Sequence, residues 1–216
     1  LETGNLLVHF GLVPGIQLTE AAGCRHQWDD GQQCWRPQTD AWGNSSVDGI
    51  AVVGDGAAIG GAVAAVHAGR LAGLEAARAM GHIDAAERDR LAVDDRQWLQ
   101  DDLRIRPFLE SLHRLPDTLL SGIADNTLVC RCEEITAGEV RAAVRAGHRD
   151  PNQVKFITRC GMGPCQGRQC GQAVANIVAA ACDRPVSEVV PVRVRPPLRP
   201  ISIGELSMLE SGNNTA

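Results

Sequence analysis

Thr158-Arg-Cys-Gly-Met-Gly-Pro-Cys-Gln-Gly-Arg-Gln-Cys170, read together with Val129-Cys-Arg-Cys-Glu-Glu-Ile-Thr136 upstream, decides how the second half of this chain folds. The two stretches supply Cys130-x-Cys132 and, after thirty-two intervening residues, Cys165-x4-Cys170. Each pair falls on a loop beside a helix start. Such loops present unpaired backbone N–H groups, and with the positive end of the helix dipole they stabilise thiolates and inorganic sulfide. Gly161, Gly163, Pro164 and Gly167 let the backbone fold closely around a bulky inorganic core. Four thiolates on two loops make the ligand set of a [2Fe–2S] centre, here Cys130, Cys132, Cys165 and Cys170. Two alternatives stay open on spacing. Zinc also takes four Cys, although a Cys-x-Cys pair is tight for a zinc knuckle. Cys160 either replaces one of the four or is a buried neighbour at the end of the preceding helix.

Outward from the cysteines the pattern is helical. Leu128-Val129 is extended. Thr136 and Glu139 form a capping box that starts a helix to about Gly147. Further helices are expected from Asn152 to about Thr158 and from about Arg168 to Cys182. A short strand over 188–194 and a Pro/Arg-rich segment over 195–200 follow, where Arg193, Arg195 and Arg199 read as a solvated basic tail. Upstream, 84–125 reads as charged helix capped by Asp84 and broken by Pro107 and Pro116. Residues 17–23 read as a short helix closed by Gly23. Residues 24–48 read as short strands and turns, because Gly31, Pro37 and Gly43 interrupt the helical spacing of Trp28, Trp35 and Trp42. Residues 5–14 read as a buried strand.

Composition narrows the classes. There are 21 basic and 26 acidic residues in 216, a net charge of −5, which argues against a nucleic-acid partner. No run approaches the roughly 18–20 apolar residues of a membrane span. Eight cysteines without an export signal point to metal or redox chemistry in a reducing compartment rather than to disulfides. The expected location is therefore the cytoplasm, with any contact to the inner membrane made through a complex. His9, His67, His82 and His113 read as structural.

Gly49-Ile-Ala-Val-Val-Gly-Asp-Gly-Ala-Ala-Ile-Gly-Gly61 carries the second motif. A buried strand over 49–54 delivers Asp55 to the mouth of an Ala/Gly-rich helix, about 58–80, ending at Gly81. The helix N-terminus favours an electron-rich group, and Asp55 suits sugar-like hydroxyls. Gly54, Gly56, Gly60 and Gly61 keep side chains away from a close ligand. Plain strand-to-helix packing explains the same residues equally well. The glycine spacing departs from the primary dinucleotide loop.

The cysteine stretches resemble the bacterioferritin-associated-ferredoxin-like [2Fe–2S] domain. The longer form, with Gly161-Met-Gly-Pro-Cys-Gln-Gly-Arg168, resembles the version in the flavin subunits of hydrogen cyanide synthase and opine oxidase, and in some hydroxyproline and anaerobic glycerol-3-phosphate dehydrogenases. That resemblance implies Cys130, Cys132, Cys165 and Cys170 as ligands. Strand–Gly–Asp–helix is similar to the second FAD motif of two-dinucleotide-domain flavoproteins. It implies FAD contacts from Gly54, Asp55, Gly56, Ile59, Gly60 and Gly61. Leu6 to Pro14 resembles the strand closing their NAD(P)-like domain. The N-terminal pyrophosphate loop of such proteins is missing, so the chain is read as the last half of a longer subunit.

The expected fold is thus α/β, a fragment of a two-dinucleotide-binding-domain flavoprotein followed by a small all-helical [2Fe–2S] domain. Its expected parts are 1–83 (end of the NAD(P)-like domain and C-terminal part of the FAD domain), 84–126 (helical connector), 127–184 (cluster domain) and 185–216 (tail). The resemblance implies an electron-transferring FAD and iron–sulfur subunit of a dehydrogenase or oxidase complex. It would act on an amino acid or opine-like amine beside a substrate-oxidising flavin subunit. Two other functions are weighed: a zinc-stabilised docking module, and part of a self-contained FAD enzyme such as glycerol-3-phosphate dehydrogenase. No residue reads as a catalytic acid, base or nucleophile.

Overall fold

Trp28 and Trp35 face each other across an antiparallel hairpin, β1 (His26–Asp29) and β2 (Cys34–Pro37). Their rings meet edge to face with centroids 6.0 Å apart, a cross-strand aromatic pair that fixes the register. Arg36 adds a 2.8 Å ion pair to Asp29 on the same hairpin. In this computed structural model, residues 4–5, 11–116, 118–119 and 122–208 are described. Helix dominates, and two two-stranded sheets are the only sheets among those residues. The strand expected over 5–14 falls mostly on 6–10, outside the described residues, as does His9. The short helix is present as α1 (Gln17–Ala21), and Gly23 follows it at positive φ.

The expected strand over 49–54 does not form. Ala51 makes one isolated bridge to Asn44, and Val52 donates to the Gly43 carbonyl at 2.7 Å. The stretch is half-buried at best. An apolar run becomes a strand only where a ladder receives it. Among the described residues only 43–45 pair with this one.

The long helix, α2 (Ala62–Ala79), starts four residues later than expected. Gly61 sits at φ +97, outside helical space, and forces the late start. Asp84 caps α3 (Ala85–Leu91) by accepting from Glu87 N at 2.8 Å. α4 (Val93–Leu103) and α5 (Arg106–Leu112) follow. Pro107 opens α5 instead of breaking a helix, since the first turn does not need its N–H.

These helices fold back on α2. Asp95 of α4 binds His67 Nδ1 at 2.6 Å, and Trp98 stacks on the His67 ring. Glu75 of α2, 8% exposed, receives Arg78 at 2.7 Å and Arg88 of α3 at 2.6 Å. The Arg88 guanidinium also lies 4.0 Å from the centre of the Trp42 ring. The hydrogen bonds from Arg78 and Arg88 hold the Glu75 carboxyl down from 4.5 to about 2. A depressed carboxyl contributes stability above its unfolded pKa and loses it as pH falls through the folded one. The melting-temperature gap between wild type and Glu75→Gln should therefore be widest above pH 4.5 and close as pH approaches 2. A gap unchanged across that window in a pH series of thermal melts would refute the assignment.

The second half packs as a small helical unit. β3 (Leu128–Cys130) pairs with β4 (Ile135–Thr136). The Thr136 hydroxyl accepts from Glu139 N, and the Glu139 carboxylate accepts from Thr136 N at 2.8 Å, so the capping box starts α6 (Ala137–Arg145) as expected. Asp150 caps α7 (Pro151–Thr158), which has Pro151 in its first turn. The last helix of the unit, α8 (Gly171–Ala181), begins three residues later than expected. Val140, Val154, Val174, Ile177 and Val178 form the core, together with Cys130, Cys160 and Cys170. Each large apolar side chain there contributes on the order of 1.5–3 kcal/mol.

The strand expected over 188–194 is absent as well. Val189, Val192 and Val194 are buried, but side chains of α7 take the backbone groups a strand partner would need. Asn152 accepts from Arg193 N at 2.7 Å and donates to the Pro191 carbonyl, while Lys155 Nζ donates to the Arg193 carbonyl at 2.9 Å. The segment is a strap over the helical unit. Beyond it lies α9 (Ile203–Ser207).

Candidate metal centre and flavin loop

Five cysteines converge on the glycine loop 161–167. β3 ends on Cys130 inside the core, and Cys170 sits at the start of α8. Arg159 closes α7 in the left-handed conformation, φ +66, and turns Cys160 back toward the core. Cys160 N is satisfied by the Thr158 hydroxyl at 3.2 Å. The sulfurs of Cys130, Cys160 and Cys170 all lie within 4.8 Å of one another, and the three residues are 1–2% exposed. Cys132 and Cys165 form a second group toward the surface, hydrogen-bonded to each other. Gly163 faces Cys132 so closely that an added Cβ would overlap the Cys132 Cβ and stand 3.2 Å from its sulfur.

Electrostatics separate the inner sulfurs. The hydrogen bond from Cys160 outweighs burial and holds the Cys170 thiol down at about 7. Its hydrogen bond to Cys170, and then burial, push the Cys160 thiol far up. Arg168 donates to the Cys165 carbonyl at 3.2 Å and to the Leu198 carbonyl at 2.8 Å, placing a cation beside the outer pair.

The donor set fits a sulfur-ligated centre. It is all sulfur, it brackets a loop with no side chain at Gly161, Gly163 or Gly167, and it offers sulfurs on an inner and an outer side. The four expected ligands lie on that loop's two sides, with Cys160 beside Cys130 and Cys170. One sequence signal marks Cys160: Cys160-x4-Cys165-x4-Cys170 is an even spacing.

The six expected flavin residues also come together. Gly54–Gly56 form a single 3-10 turn, and Asp55 Oδ1 accepts from Gly60 N and Gly61 N, both at 2.9 Å. Those two N–H groups, Gly61 first, hold the Asp55 carboxyl below its ordinary range, with help from Arg106. Gln32, on the hairpin turn, clamps the loop from outside. Its Oε1 accepts from Ile59 N at 3.0 Å and its Nε2 donates to Ile59 O at 2.8 Å. A cavity of about 430 Å³ opens beside the loop, walled by Trp42, Val52, Ala64, Leu71, Leu99 and Leu103. Gln32 and Arg106 carry no local motif, and nothing in the sequence singles them out.

The hairpin turn also reaches the cysteine unit. Gln172, two residues after Cys170, donates to the Gln33 carbonyl at 3.1 Å. Trp35 Nε1 donates to the Val189 carbonyl at 3.1 Å.

With this geometry in place, comparison with known proteins gives the class first. Residues 128–180 match the BFD-like [2Fe-2S] binding domain, so the helical unit is a domain of that kind. The chain as a whole is similar to components of oxidoreductases. One opine oxidase subunit, from Rhizobium meliloti (strain 1021), is 40% identical over 215 residues, covering 97% of this chain and 45% of that protein. Hydrogen cyanide synthase subunit HcnB of Pseudomonas aeruginosa is 31% identical over 202 residues, covering 93% and 43%. The chain thus spans less than half the length of these relatives. Among solved structures, L-proline dehydrogenase from P. horikoshii superposes with a TM-score of 0.70 at 22% identity, over 91% of this chain and 37% of that one. That likeness shows a shared fold over those residues. No described helix is long and apolar enough to cross a membrane.

Proposed function

We propose that this chain is part of an electron-transferring flavin and iron–sulfur subunit in a dehydrogenase or oxidase complex acting on an amino acid or opine-like amine. The observation that carries the reading is the cysteine frame on two sides of loop 161–167, inside a BFD-like domain. Cys130, Cys132, Cys165 and Cys170 would hold a [2Fe–2S] cluster, which supplies one-electron chemistry when bound. The protein's part is to bury the inner thiolates, present the outer ones near the surface and place Arg168 beside them.

On the same reading, residues 1–83 belong to the NAD(P)-like and FAD-binding parts of a larger two-dinucleotide-domain subunit, and 84–126 connect them to the cluster domain, 127–184. The stretch 185–216 is the tail. Asp55 would meet the FAD ribityl chain, with Gly54, Gly56, Ile59, Gly60 and Gly61 shaping the approach. The fixed loop and its neighbouring cavity support this. A separate flavin subunit would oxidise the substrate; the names of the relatives, each a subunit, support a multi-subunit complex. We place the complex in the cytoplasm, at most peripheral to the inner membrane.

The test is iron, acid-labile sulfide and zinc content of anaerobically purified protein, with visible and EPR spectra before and after dithionite. Equal iron and sulfide with a signal appearing on reduction is the expected result. Zinc without sulfide, and no reconstitution of a cluster, would replace this reading with a zinc-stabilised docking module.

A further inference from the structure

Loop 161–167 gathers one sulfur more than a [2Fe–2S] centre uses. Each iron of such a centre takes two protein sulfurs. The outer pair, Cys132 and Cys165, would supply two of the four sulfurs. The inner side offers three sulfurs, those of Cys130, Cys160 and Cys170, within 4.8 Å of one another. One inner sulfur is therefore left over, although it is as buried as the other two.

Cys160 stands in the same x4 spacing to Cys165 as Cys170 does, so spacing does not rank the two. The proposed ligand set, Cys130, Cys132, Cys165 and Cys170, leaves Cys160 as the surplus sulfur. It is brought in by Arg159, a residue with a Cβ held at φ +66, where side chains are rarely tolerated. Backbone strain next to a site is a reason to ask what the strained segment delivers. What it delivers is a buried sulfur within 4.8 Å of those of Cys130 and Cys170.

We infer that Cys160 is a positioning residue: its S–H donates to the ligand sulfurs beside it, those of Cys130 and Cys170, and raises the reduction potential of the cluster without ligating it. The inference rests on the proposed [2Fe–2S] function. Hydrogen bonds to ligand sulfurs are one of the levers that set the potential of such centres. A donor withdraws electron density from the thiolate and favours the reduced, more negative form.

The test compares wild type, Cys160→Ala and Cys160→Ser in the full-length subunit by EPR-monitored redox titration, with iron and sulfide assayed on the same samples. The expected result is unchanged iron and sulfide in both variants, a midpoint potential shifted negative in Cys160→Ala, and a value nearer wild type in Cys160→Ser, whose hydroxyl still donates. Should Cys160→Ala fail to fold, Cys160→Val keeps the volume without the donor and takes its place. Loss of iron from folded Cys160→Ala would overturn the inference by making Cys160 a ligand. An unchanged midpoint would overturn it by making Cys160 filler. Failure of the cluster reading itself is separately visible, as wild-type protein without sulfide.

Discussion

Cys132→Ala should purify with iron and acid-labile sulfide near background and with no visible charge-transfer bands. The outer side of loop 161–167 holds Cys132 and Cys165, and the surplus sulfur, Cys160, lies on the inner side with Cys130 and Cys170. No third sulfur is placed to substitute on the outer side. The same variant should melt well below wild type. Cys132 is exposed, and truncating an exposed side chain away from special features usually changes stability by no more than about 0.5 kcal/mol. A larger loss would therefore report the missing centre, because the binding energy of a structural metal site is also folding energy. Metal analysis and a thermal melt decide it together. A colourless variant with an unchanged melting temperature would detach the cluster from the fold, and a coloured one would remove Cys132 from the ligand set.

Gly163→Ala moves the same thiol instead of removing it. The new methyl would overlap the Cys132 Cβ, an atom anchored to the backbone and unable to swing aside. Either the 161–167 loop or the turn carrying Cys132 must shift. Overpacking of this kind costs typically about 1–3 kcal/mol. Disturbing what orients a metal ligand costs roughly 10–100-fold in metal affinity. The expected outcome is a lower melting temperature and cluster loss under chelator at rates well above wild type. Equal chelator resistance would mean that the loop absorbs the methyl, and that close approach to Cys132 is not what Gly163 is for.

Much of the cysteine unit is legible in the sequence because its signals are local. Thr136 and Glu139 sit three apart and cap the helix they predict, and Gly23 and Gly81 end theirs. The hairpin is legible for the same reason, through Gly31 and Pro37. What escapes is non-local. Residues 49–54 and 188–194 look like strands because they are apolar, yet a strand is defined by a neighbour, and α7 side chains hold the second stretch. The early starts expected for α2 and α8 ignore where the backbone can first turn helical, which Gly61 sets for α2. Of the site, the four paired cysteines and the 54–61 loop can be read from spacing and resemblance. Cys160 stays undecided at that level because its direction depends on a left-handed Arg159, which the sequence does not flag.

The hairpin turn has a mechanical consequence. Gln32 grips the Ile59 backbone, the next residue's carbonyl accepts from Gln172, and Trp35 donates to Val189, so a few residues hold the Asp55 loop and the cysteine unit at once. A carrier that ferries electrons by swinging between donor and acceptor needs a hinge that lets go. Here, drawing the small unit away would break the bonds of Gln172 and Trp35 to opposite sides of the joint. With the proposed flavin and cluster bound, the distance between them would therefore be set once, when the chain folds.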